Sequence, residues 1–178
     1  MKKIICGVLT LILIFSICSF SASAAVSTSF IIDNDSSDSA CDTSHYGFDI
    51  YVTGSSHYNG DCRRGLTSNA SAWYSWINES KKISSTSPIS VRAGYYINNS
   101  RFTDPAACYY IEQRDGGYLM ARVNQGTAPV GWSYINYTIN KNYATPGGFS
   151  VYGMSLGTSG SGSGYTGADA IRVSATAN

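Results

Sequence analysis

The residues of this 178-residue chain that could do chemistry fall into three groups. The first is acidic. Asp33-Asn34-Asp35-Ser36-Ser37-Asp38 places carboxylates at i, i+2 and i+5, so Asp33, Asp35 and Asp38 could offer oxygen ligands to a hard cation such as Ca²⁺. The spacing lacks the glycine and the distant glutamate of an EF-hand loop, and Asp33 and Asn34 equally suit hydrogen bonding within a turn after a strand. The second group is nucleophilic. His45 and His57 stand among serines and Asp49, yet no Gly-x-Ser-x-Gly, His-Glu-x-x-His or Cys-x-x-Cys motif occurs. Both histidines are therefore expected to be solvent-facing loop residues. Glycoside hydrolysis would need two facing carboxylates, and nothing in the spacing brings Glu79 and Glu112 together. Asp169, set between two alanines, is expected to bond backbone amides or the neighbours of Arg172 inside the fold.

The third group is aromatic and amide-rich. A pyranose ring presents C–H groups on its faces and hydroxyls at its edge. It stacks on flat aromatic rings and takes hydrogen bonds from Asn, Gln and Arg. Trp73, Trp132, Tyr134 and Tyr96 are the candidate platforms, with Arg92, Asn124 and Gln125 as polar partners. The same rings also suit a sandwich core. Tyr46, Tyr51 and Tyr58 form a second candidate group in a loop-rich region, where function is commonly carried.

The chain begins as an export signal. Lys2 and Lys3 precede an apolar run from Ile4 to Ile17, and Ala22-Ser23-Ala24 supplies the small-x-small cleavage pattern. The apolar run falls short of the ~20 residues that span a bilayer. Residues 1–24 are read as the signal peptide and residues 25–178 as one domain, with no membrane span after cleavage. Without Lys2 and Lys3, the twelve basic residues become ten against eleven acidic, a formal net charge of −1. No basic patch argues for nucleic acid or an anionic membrane. Three cysteines remain. Cys41 and Cys62 lie in polar, turn-rich sequence and are the expected disulfide, whereas Cys108 lies in an apolar run and is expected as a buried thiol.

The elements that must position these residues are strands. Ile89 to Ile97 alternates cleanly: Ile89, Val91, Ala93, Tyr95 and Ile97 on one side, Ser90, Arg92, Gly94 and Tyr96 on the other. Ala72, Tyr74 and Trp76 alternate with Ser71, Trp73 and Ser75, giving one core face and one partly exposed face. Further strands are expected at Phe30–Ile32, Phe48–Val52, Ala106–Gln113, Tyr118–Asn124, Trp132–Ile139, Gly148–Leu156 and Ala168–Ser174. Arg114-Asp115-Gly116-Gly117 reads as a hairpin turn, and Gly157 to Gly164 as a flexible Gly/Ser loop. Short strands with turn punctuation and no helical period predict an all-β, antiparallel, jelly-roll-like sandwich.

Several of these runs also stand in a recognisable order. Ile32-Asp33-Asn34, Ala72-x-x-x-Trp76, Ile89-Ser-Val-Arg-Ala-Gly-Tyr95 and Ala107-Cys-Tyr-Tyr-Ile111 are followed by Val123-Asn-Gln125, Gly131-Trp132 and Ala168-Asp-Ala-Ile-Arg-Val173. In this the chain resembles the golvesin / xanthan lyase carbohydrate-binding-domain-like family. The resemblance implies a β-sandwich of secreted proteins, without catalytic activity, whose partner is an extracellular polysaccharide or cell-surface glycan. A structural or adhesive envelope protein with protein partners is the first alternative, and a small secreted hydrolase or lyase the second. After Gly131-Trp132 this chain carries Ser133-Tyr134-Ile135-Asn136 where the family continues to a Leu-Gly pair.

Overall fold

The computed structural model describes residues 25–36, 39–98, 100–113, 116–140 and 149–177. The expected signal peptide, Asp38 and the Arg114-Asp115 turn pair lie outside these residues. No helix among the described residues is long and apolar enough to cross a membrane.

The chain is all-β, and every strand pairing is antiparallel. The strands, in chain order, are β1 (Val26–Ile32), β2 (Asp42–Tyr46), β3 (Ile50–Thr53), β4 (Asp61–Leu66), β5 (Trp73–Ile77), β6 (Ile83–Ser85) and β7 (Ile89–Ile97). They continue with β8 (Ala107–Gln113), β9 (Gly116–Val123), β10 (Gly131–Ile139), β11 (Phe149–Val151), β12 (Gly153–Gly157), β13 (Tyr165–Ala168) and β14 (Ile171–Ala177). Two sheets dominate. One runs β1-β14-β7-β10 and the other β2-β5-β12-β8-β9. If β1, β5, β7, β8, β9, β10, β12 and β14 are numbered as eight successive strands, the sheets read 1-8-3-6 and 2-7-4-5. That alternation between layers is a jelly roll, with β2 added at one edge. Two small sheets, β13-β4-β3 and β11-β6, take the remaining strands.

Alternation places the core between the layers. The four-stranded sheet turns Phe30, Ile32, Val91, Ala93, Ile97, Ile171 and Val173 inward, and the five-stranded sheet answers with Tyr74, Trp76, Ile111, Met154 and Leu156. Tyr95 of β7 stacks on Tyr109 of β8, with ring centroids 4.5 Å apart, so the layers meet ring to ring. Ile89–Ile97 appears with the bounds its alternation predicts. The expected first strand is longer, beginning at Val26. The expected Gly148–Leu156 strand is divided into β11 and β12, and these belong to different sheets. The alternation escaped β4, because Asp61-Cys-Arg-Arg-Gly-Leu66 has no apolar period.

Two expectations change. The Gly/Ser tract is pinned: Ser159 N donates to Asp104 Oδ2 at 2.9 Å, and Thr67 N donates to the Gly164 carbonyl at 3.1 Å. The expected Cys41–Cys62 disulfide is not formed. Cys41 lies just before β2 on the five-stranded sheet, where Asn78 Nδ2 approaches its Sγ at 3.2 Å. Cys62 sits on β4 of another sheet, wholly buried beside His57. The fold places the two cysteines at different sheets. Cys108 is a buried thiol, as expected.

Candidate functional site

The aromatic candidates are divided between two opposite outer faces. Trp73 belongs to the five-stranded sheet. It points out of β5, 43% exposed, while its neighbours Ala72, Tyr74 and Trp76 are core. The residues paired across the sheet at this level are Tyr46, Trp73, Gly157, Cys108 and Arg122, and at the next level Ser44, Ser75, Ser155, Tyr110 and Leu119. The central strand β12 turns Gly153, Ser155 and Gly157 outward. A central strand with no bulky outward side chain sinks the face into a trough of about 410 Å³, walled by Trp73 and Tyr110 and lined by Ser44, Ser75, Glu112 and Ser155. At Gly157 a Cβ would meet the Tyr110 ring at 3.5 Å, an ordinary contact, so a small side chain fits there and a larger one would reach towards the ring. Ser155 donates a hydrogen bond to Glu112 Oε1, holding that carboxylate against the floor.

Trp132, Tyr134, Tyr96 and Arg92 come together on the four-stranded sheet. Pairing sets Tyr134 of β10 opposite Gly94 of β7, Gly94 opposite Arg172 of β14, and Arg92 opposite both Asn136 and Ser174. The Arg92 guanidinium lies 3.8 Å from the Tyr134 ring centroid, and that of Arg172 lies 4.9 Å from the Trp132 ring. Arg172 Nη1 is 3.4 Å from the Tyr134 hydroxyl. Beyond them Tyr58, Tyr96 and Trp132 meet edge to face, with centroids 5.4 to 5.7 Å apart. Sequence reading overlooked Arg172 as a surface group. Its outward phase in the Ile171–Ala177 alternation is the signal that could have found it.

Gln125 does not belong to either face. It is fully buried: Nε2 donates to Tyr109 Oη at 2.8 Å and to the Gly167 carbonyl at 3.0 Å, and Oε1 accepts from Gly167 N at 2.9 Å. An amide with all these partners ties the loop after β9 to β8 and β13. It is a structural residue, and the ligand role read from its sequence neighbourhood is withdrawn. Of the three carboxylates expected as cation ligands, Asp33 and Asp35 fall within the described residues and differ in setting. Asp33 is buried and accepts from Asn34 N at 2.9 Å and Asn59 Nδ2 at 2.7 Å, whereas Asp35 is exposed. Among the described residues, no three His, Cys, Asp or Glu side chains gather to hold a metal ion.

The histidines correct the expectation of two solvent-facing loop residues. His45 is half-buried and stacks on Tyr74. His57 is buried, with Nδ1 3.2 Å from Asp169 Oδ2 and Nε2 3.6 Å from Cys62 Sγ. Asp169 also accepts from Tyr58 N at 3.1 Å, so its expected bond to a backbone amide is present. The order thiol, imidazole, carboxylate is that of an activated nucleophile. Its setting gives it another role. The cysteine is wholly buried, and both partner side chains are 1% exposed or less. Burial pushes the Cys62 thiol up to about 12, lowers His57 and raises Asp169 to about 8. Each group is thereby held towards its neutral form, and the thiolate that would attack is not formed at neutral pH. The cluster fastens the β3–β4 region to the start of β14.

No protein-family model matches this chain, and no curated protein matches it. Several solved structures are similar in shape. A Paenibacillus xanthan lyase is 17% identical over 82% of this chain and 13% of its own, with a TM-score of 0.49. The C-terminal CBM6 of LamC, a marine laminarinase from Zobellia galactanivorans, is 12% identical over 82% of this chain and 98% of its own, with a TM-score of 0.42. CBM35 from Cellvibrio japonicus Abf62 is 12% identical over 82% of this chain and 92% of its own, with a TM-score of 0.45. The chain spans about an eighth of the xanthan lyase it resembles.

Proposed function

We propose that this chain is a secreted, non-catalytic carbohydrate-binding module of the golvesin / xanthan-lyase type, and that the trough over β12 takes a neutral stretch of an extracellular polysaccharide or cell-surface glycan. One observation carries the reading. Trp73, the more exposed tryptophan of the five-stranded sheet, walls a trough lined otherwise by Tyr110, Glu112, Gly117 and the short side chains of Ser44, Ser75 and Ser155. A pyranose can lay its C–H face on the indole because the serine side chains beside it are short. Ser44, Ser75 and the Glu112 carboxylate then meet its hydroxyls. A carboxylate in the trough accepts hydroxyl protons and repels acidic sugars, hence the neutral class.

The experiment is affinity electrophoresis and calorimetry of the 25–178 domain with laminarin, glucomannan, xylan and mannan. At least one is expected to bind, and Trp73→Ala is expected to weaken that binding at least about tenfold, the loss of roughly 1.4 kcal/mol typical of an aromatic anchor. Unchanged melting would show that the variant folds. Failure of all four polymers to bind, or binding indifferent to Trp73→Ala, would refute the assignment.

A further inference from the structure

The opposite face has a different chemistry. The four strands β1, β7, β10 and β14 contain no Asp or Glu at any position, and their only charged residues are Arg92 and Arg172. Both arginines point outward, and neither takes part in an ion pair among the described residues. They occupy diagonal positions on paired strands, since Arg92 faces Ser174 and Arg172 lies two residues before it. Such diagonal neighbours stand about 7–8 Å apart. Two shallow cavities of about 490 and 450 Å³ adjoin here and share Arg92 and Ser174, so the arginines sit along one continuous hollow across the sheet. Its polar lining is hydroxyl and amide, from Ser29, Ser90, Asn136, Thr138 and Thr176, set among Ile31, Val91 and the Tyr134 and Tyr137 rings.

The arginines are also held in place. Arg92 lies over Tyr134 and Arg172 over Trp132. Stacking through the flat face fixes a guanidinium while leaving its in-plane N–H groups as donors, the fork that matches a carboxylate. A surface with paired, immobilised cations, no anion, and hydroxyls and rings between them is complementary to a sugar chain that carries carboxylates, hydroxyls and C–H faces together.

We propose that this face is a second binding site, for an acidic polysaccharide whose uronate carboxylates are taken by Arg92 and Arg172. Uronate sugars supply both halves of the match: the carboxylate meets the arginines, and the ring hydroxyls meet the Ser, Thr and Asn side chains. The proposal uses no residue of the Trp73 trough, so either site can fail without the other.

The test is binding of the 25–178 domain to polygalacturonate, with carboxyl-reduced polygalacturonate as the neutral polymer of the same backbone. Polygalacturonate is expected to bind, the reduced polymer to bind at least tenfold more weakly, and raised salt to weaken the acidic polymer alone. The double variant Arg92→Gln/Arg172→Gln is expected to abolish the preference, with its melting unchanged. Arg92→Lys/Arg172→Lys is expected to keep the salt dependence but lose affinity, because the charge remains without the planar fork. Trp73→Ala is expected to leave polygalacturonate binding as it was. Equal binding of the two polymers, retention of the preference in the Gln variant, or tighter binding to duplex DNA than to polygalacturonate would each overturn the proposal. If the Gln variant does not fold, single Arg172→Gln and Arg92→Gln variants are compared instead, and unchanged selectivity in both overturns it equally.

Discussion

Tyr134 lies across Gly94, so that a Cβ on Gly94 would stand 2.9 Å from Cε1 of the ring and 3.3 Å from the Arg172 Cβ. The missing side chain on β7 is the space in which Tyr134 reaches both arginines. Gly94→Ala is expected to lift the ring and loosen Arg92 and Arg172 together. The cost in stability should be about 1 kcal/mol, because the ring is only half-buried and can yield outward. Polygalacturonate binding should weaken several-fold. Binding unaltered by Gly94→Ala would mean that the ring's position is immaterial.

Gly157 pairs with Trp73 across the sheet, at the edge of the trough. Gly157→Ile raises the floor beside Tyr110, at a position whose backbone does not require glycine. Neutral polysaccharide binding should fall at least as far as in Trp73→Ala, with acidic polysaccharide binding retained. A titration of both polymers against the one variant checks this, and full neutral binding with Ile in place would show that the floor is not used.

Gln125 is a test of stability alone. Gln125→Leu removes an amide that satisfies Tyr109 Oη and both backbone groups of Gly167. Leaving buried polar groups without partners costs about 1–3 kcal/mol each, so a loss of several kcal/mol is expected. Urea unfolding measures it. A change below about 1 kcal/mol would mean that water replaces the amide.

The Asp169 cluster makes stability depend on pH. Burial raises Asp169 to about 8 and Asp33 to about 6 from 3.8, and lowers His57 from 6.5. A carboxyl with a raised folded pKa keeps its proton better in the folded state. Its contribution is complete at low pH and lost as pH rises through the folded value. The lowered histidine acts in the opposite sense, but only below 6.5, where the unfolded chain binds the extra proton. Between pH 6.5 and 8 Asp169 therefore sets the slope, and melting temperature should fall across that window. Asp169→Asn keeps an acceptor for Tyr58 N and removes the titration, so its melting should be level there. A wild-type melting temperature that is level from 6.5 to beyond 8 would contradict the raised carboxyl.

The thiols are expected to be reduced. Denatured without reductant, the 25–178 domain should release all of Cys41, Cys62 and Cys108 to a thiol reagent, whereas native protein should shield Cys62 and Cys108. Release of a single thiol on denaturation would restore the Cys41–Cys62 bond.

Sequence by itself determined the strands that alternate and which side of each is greasy. Ile89–Ile97 and the Ala72/Tyr74/Trp76 face are so because side chains on a strand alternate strictly, whatever lies around them. It also determined that Asp169 would seek amides and that Cys108 would be buried, since both depend on immediate neighbours. Tertiary structure alone decided which sheet each strand joined. Trp73 and Trp132 have the same local pattern, yet the jelly roll sends β5 and β10 to different layers, and their rings to opposite sides of the molecule. His57 meets a carboxylate 112 residues away, and Gln125 meets Gly167 across 42 residues. Polar side chains in a turn-rich stretch read as exposed until a distant partner covers them. Burial of a polar group is set by what packs over it and bonds to it, and neither is written next to it in the chain.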